Sequence, residues 1–217
     1  MDRTADQLST TASPRLLLAA MAGGLLTGGF AAWAYYGDAF RELSHTFGLW
    51  ILLVVLVSAR RPWRAAVAAS VVALATAVVA FYVGKDVMYG VEYPGMPYEV
   101  NTSVLVEWLV LAVVAGTVLG WGASHVGQPG RWGPVATAGA VGLLVADAAR
   151  RAAWYAPDPA VLVLAAAAVL VVLRIGARTP GQLTRTAAWV LPSTVAGFLL
   201  VSAPDVLEQL LATGSPW

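Results

Sequence analysis

The chain has 217 residues, of which 59% are hydrophobic and only 12% charged, with a formal net charge of +1. A soluble domain carries about 25% charged residues, so this chain has too few polar groups to cover a water-facing surface and reads as an integral membrane protein. The near-zero charge excludes the electrostatic footprint of a nucleic-acid binder, and the absence of cysteine removes disulfides, thiol catalysis and cysteine metal sites.

Seven apolar segments follow one another, at about 16–36, 44–59, 65–84, 103–122, 135–154, 159–174 and 186–203. They predict an all-α fold: a polytopic transmembrane helix bundle over 16–203, with a cytoplasmic tail at 1–15 and a C-terminal tail at 204–217. The first run, Leu16 to Tyr36, would be about 30 Å long as a helix, the thickness of a bilayer core. It continues past Ala19-Ala20-Met21-Ala22, which imitates a signal-cleavage site, and so reads as an uncleaved span. Segments two and six are short for a span, which leaves six spans and one re-entrant segment as the alternative to seven.

Charge bias favours seven spans with the N-terminus inside. Nine arginines then fall on the cytoplasmic side, against four cations outside, Arg41, Lys85, Arg150 and Arg151. One lysine against twelve arginines, with abundant Ala, Val and Gly, fits a GC-rich bacterial genome. Expected outer helix ends repeat an aromatic pair, Tyr35-Tyr36, Phe81-Tyr82 and Trp154-Tyr155. Inner turns repeat small, basic and Pro residues: Ala59-Arg60-Arg61-Pro62, Gln128-Pro129-Gly130-Arg131 and Ala177-Arg178-Thr179-Pro180. Three helical hairpins plus a last helix would give this recurrence. So would the aromatic belts and basic turns of any polytopic protein.

The fifth segment carries the costliest residues. Asp147 lies inside it, with Arg150 and Arg151 at i+3 and i+4, both neighbours on a helix. Glu107 is a second intramembrane acid, about one turn inside span four. Together with His45, Tyr82 and the Tyr-rich outer loop 84–102, these residues suggest a polar pocket near the outer face for a small solute. The competing expectation is an internal ion pair between Glu107 and an arginine of span five that only fixes helix packing. Pro192 should kink the last span, with Ser193 and Thr194 near the freed backbone groups.

His125 and His45 have no companion ligand, and Asp86, Glu92 and Glu99 match no calcium loop, so no metal or other cofactor is expected. No phosphate-cradling glycine motif or serine-based catalytic arrangement appears, and no enzyme is expected. Small residues at Ala20, Gly24 and Gly28 form a stripe that admits another helix, from this bundle or from a partner subunit.

The stretches LSHTFGLW, SARRPWRAAVAA and AVVAFYVGKDV resemble a family of uncharacterised actinobacterial multi-span membrane proteins with no assigned activity. The likeness covers most of residues 16–155 and implies no functional residue. A looser likeness is to the substrate-binding components of energy-coupling vitamin transporters. It implies a docking stripe at Ala20, Gly24 and Gly28 and a capping loop at 84–102, although those proteins usually have six spans.

Overall fold

Side-chain caps and prolines set where most helices begin. In the computed structural model Ser13 caps helix α1 (Pro14–Tyr36), its hydroxyl accepting from the Leu16 N–H at 3.3 Å, with Pro14 in the first turn. A four-residue helix α2 (Arg41–Ser44) and an eleven-residue α3 (Gly48–Ser58) follow, then α4 (Trp63–Glu92) behind Pro62. Asn101 caps α5 (Thr102–Ser124), and α6 runs over Trp132–Trp154. Asp158 accepts from two backbone N–H groups at the start of α7 (Pro159–Gly176). Helix α8 (Pro180–Thr213) opens on a box in which Thr179 accepts from Gln182 N–H and Gln182 accepts from Arg178 N–H. The structure describes residues 12–96, 99–154 and 156–213, without the side chains of 154 and 204–213. The expected tail over 1–11, Tyr155 with the Trp154 side chain, the loop residues Pro97 and Tyr98, and the tail beyond 213 lie outside what is described.

Among the described residues, six helices are long and apolar enough to cross a membrane. Large apolar side chains such as Leu26, Val163, Leu191 and Leu199 cover their outer faces, where lipid chains solvate them as water cannot. The multi-pass all-α architecture expected from composition is therefore present.

Two boundaries differ from expectation. Helix α4 continues to Glu92, so the connection to α5 is short and the expected loop at 84–102 is half helix. The added turns have support: Gly84 packs against Ala32 of α1, and the Lys85 ammonium sits 3.9 Å above the Tyr35 ring. Helix α8 likewise runs through the expected C-terminal tail to Thr213. It also passes through Pro192 as one helix, with the Thr194 hydroxyl donating to the Val190 carbonyl at 2.9 Å.

Small residues decide which helices touch. A side-chain atom at Gly24 would meet the backbone of Ala73 and Ala77, and one at Gly28 would meet Ala77 and Ala80. Residue numbers rise together along both helices, so α1 and α4 are parallel neighbours. The same relation recurs between α6 and α8, where Gly142 lies against Ser193 and Thr194, and Gly197 against Gly142 and Ala146. Ala20, Gly24 and Gly28 occupy the same positions of 23-residue α1 that Ala138, Gly142 and Ala146 occupy in 23-residue α6. The separation from Gly24 to Gly142 is also that from Pro62 to Pro180, which follow the two matching basic turns.

The internal recurrence is thus two three-helix units, and not three hairpins. In each unit the first and third helices pack in parallel and the middle one, α3 or α7, connects them in sequence; α3 packs on both α1 and α4, whereas α7 packs on α6. Helix α5 joins the units and packs antiparallel on α4, with Gly116 against Val71 and Gly120 against Ser70. The expected docking stripe at Ala20, Gly24 and Gly28 is spent inside the first unit, where Ala20 is fully buried. No partner subunit can use it, because α4 already fills the groove.

Candidate functional site

Helix α3 lies between the units and touches α4, α5, α6 and α7. Its eleven residues rise about 16 Å, roughly half a bilayer core, so its N-terminus ends inside the bundle. Four N–H groups at any helix start lack intrahelical acceptors, and burying them uncapped is costly. Phe47, at the cap position, offers no side-chain acceptor. The acceptor comes instead from the other unit.

Asp147 of α6 supplies it. One carboxylate oxygen accepts from the Gly48 N–H at 3.1 Å and from the Thr46 hydroxyl at 2.5 Å, the short end of the charge-assisted range. Thr46 Oγ1 also accepts from the Gly48 N–H, at 2.9 Å. The second carboxylate oxygen faces the Arg150 guanidinium at 3.4 Å. Asp147 is 1% exposed and Arg150 7%. The negative carboxylate meets the positive end of the α3 dipole, and Arg150 balances the charge that burial would otherwise penalise. The guanidinium also rests 5.3 Å from the Phe47 ring centre. Next to it, Arg151 reaches across the same boundary to pair with Glu42 of α2.

The opposite end of α3 is tied to the second unit as well. Arg60, in the turn between α3 and α4, donates through its side chain to the Ile175 carbonyl in the last turn of α7. Its backbone N–H donates to the Ser124 carbonyl at 3.1 Å. Arg60 holds a left-handed φ of 60°, a conformation that costs a side-chain-bearing residue free energy and persists only where contacts fix it. Gly127, itself at φ 72°, leaves the room that the Arg60 side chain fills. Between the two ties the inter-unit packing is apolar, made by Ile51, Val54, Val55, Val141, Leu144 and Val172.

The expected site residues separate into three places. Asp147, Arg150 and Arg151 belong to the cluster just described. His45 is turned to one side, its ring 5.6 Å from Tyr35 in the aromatic group that holds Lys85. Tyr82 packs half-buried on the apolar core with its ring against Phe81.

Glu107 is on the exposed face of α5 and forms no ion pair with an arginine of α6 among the described residues. Five residues into α5, its side chain is within reach of the headgroup region, where a carboxylate stays hydrated. Sequence reasoning missed Thr46, Gly48 and Glu42, the groups that answer Asp147 and Arg151. A Gly after Thr-Phe, at the point where apolar segment two thins out, was the available signal for an interrupted helix.

The cluster encloses little space. The cleft beside it, lined by Glu42, Arg151, Ala152, Pro157 and Asp158, has room for about one water molecule. Among the described residues no group of three His, Asp or Glu side chains is placed to hold a metal ion.

No curated protein and no solved structure matches this chain. A family model does, over residues 7–207, nearly the whole sequence and all three elements that build the cluster. This multi-pass membrane protein belongs to the family of unknown function DUF6518.

Proposed function

We propose that this chain is a non-enzymatic protein of the cell membrane, N-terminus cytoplasmic, whose charged cluster locks two helical units together in a structural or accessory role. One observation carries the reading. The buried Asp147 carboxylate is answered by Thr46, Gly48 and Arg150 of the chain itself. The apolar packing between the two ties of α3 supports it further, since a polar solute would find no partner there. Because α1 and α4 run parallel, residues 37–62 carry the chain from one end of the bundle to the other. With the six long helices this supports seven crossings, the second of them built on the interrupted segment α2–α3.

A second reading, binding or movement of a small solute, is favoured by a separate observation. The interrupted helix lies where two similarly built units meet, the position at which many transporters place their sites. The likeness to vitamin-transporter components gives less support, since the docking stripe is buried. The decisive experiment is purification of the full chain and of Asp147→Asn in mild detergent, with thermal unfolding and mass spectrometry of retained small molecules. The lock reading expects a lower midpoint for the variant and no small molecule bound in proportion to either protein. A ligand bound one-to-one to the wild type, and lost from a variant that keeps its midpoint, would reverse the choice.

A further inference from the structure

The two ends of the bundle differ in charge more sharply than net charge suggests. The starts of α1, α4, α6 and α8 and the ends of α3, α5 and α7 gather at one end, as shown by Leu16 packed with Val57 and Ala65, and Thr137 against Gly176. At this end Arg15, Arg61, Arg64, Arg131, Arg174 and Arg178 are all exposed. No Asp or Glu accompanies them among the described residues. The described acids, Asp38, Glu42, Asp86, Glu92 and Asp158 among them, lie toward the other end. Among the described residues, Arg60 is the arginine at this end whose side chain is committed to a protein acceptor, the Ile175 carbonyl.

Aromatic residues fix the depth of these arginines. Trp63, Trp121 and Trp132 are each more than half exposed at the same end. Indole rings so placed sit at the boundary between acyl chains and headgroups. The Arg64 guanidinium lies 5.2 Å from the Trp63 ring, and that of Arg131 lies 5.3 Å from the Trp132 ring. Each pair therefore has its apolar body at the boundary and its charge at the level of lipid phosphates. Four helix N-termini and three helix C-termini end at that level too, so their dipoles nearly cancel and the arginines set the field there.

We infer that this arginine and tryptophan end binds anionic phospholipid headgroups, with Arg64, Arg131 and Arg178 as its leading contacts. Charge complementarity selects the occupant. A zwitterionic headgroup offers these cations a phosphate beside a competing ammonium, whereas an anionic headgroup such as phosphatidylglycerol offers net negative charge. The inference needs only that the chain lies in a bilayer, and is independent of whether the Asp147 cluster is a lock or a solute site.

The test places the full chain in nanodiscs of equal parts phosphatidylglycerol and phosphatidylcholine and counts retained lipids by native mass spectrometry. The wild type is expected to retain the anionic lipid in preference, by roughly fivefold. The triple variant Arg64→Gln, Arg131→Gln, Arg178→Gln is expected to lose the preference, and the matching triple Lys variant to keep it. Arg41→Gln, at the acidic end, should leave it unchanged. Equal retention of both lipids by the wild type overturns the inference, as does an equal loss in Arg41→Gln. Equal lipid retention together with capture of an acidic protein would assign the surface to that class of partner instead.

Discussion

A buried carboxylate is stable only when each of its oxygens has something to accept from, and Asp147 takes its donors from a different unit of the chain. Its replacement by Ala would strand the Gly48 N–H, the Thr46 hydroxyl and the Arg150 charge together. Breaking a buried pair from one side costs about 3–5 kcal/mol, so Asp147→Ala should lower the unfolding midpoint strongly. Thr46→Val removes one donor while keeping shape and should cost about 1–3 kcal/mol. Denaturation in detergent measures both, and two variants that unfold with the wild type would dismiss the lock. Glu107→Gln, on an exposed face, should change stability by less than about 0.5 kcal/mol. A large loss there would mean that the carboxylate is paired after all.

At the scale of elements, close approach of parallel helices depends on missing side chains. Gly24 and Gly142 stand at equivalent positions of α1 and α6, and a Cβ at either would lie within 3 Å of a neighbouring helix. Gly24→Val and Gly142→Val should each destabilise by about 1–3 kcal/mol, the usual range for overpacking. Gly139→Val, with nothing within 4 Å, should be tolerated. Comparable losses at the first two positions support equivalent units, and a loss at one alone would make the match coincidental. The interrupted helix α3 is the asymmetric element, since its counterpart α7 is continuous over 18 residues. That asymmetry is what requires Asp147: a half-length helix leaves a buried N-terminus, and a full-length one does not.

At the scale of the whole molecule, parallel packing of α1 and α4 supports a crossing between them. Seven crossings put Asp38 and Arg64 on opposite sides of the membrane, and a re-entrant α2–α3 would put them on the same side. The chain has no cysteine of its own, so single substitutions report without background. In intact cells Asp38→Cys should react with an impermeant maleimide, whereas Arg64→Cys should react only after permeabilisation. Labelling of both from one side would reduce the count to six.

The sequence alone determined the class, the helices and the charge polarity, because each depends on composition or on neighbours within a few residues. Apolar runs at bilayer length give helices wherever they fall, and Ser13, Asn101, Asp158 and Thr179 mark their starts locally. Asp147 was legible as costly for the same reason, and so was its arginine partner one turn on. What answered it was not legible, because Thr46 and Gly48 lie about a hundred residues away and only helix packing brings them near. The small-residue stripe shows the same division. Its periodicity was plain in the sequence, but any helix can fill such a groove, and only the tertiary structure decided that α4 fills it. It likewise placed Glu107 on the outside, since a helix of nearly uniform hydrophobicity does not reveal which face turns inward.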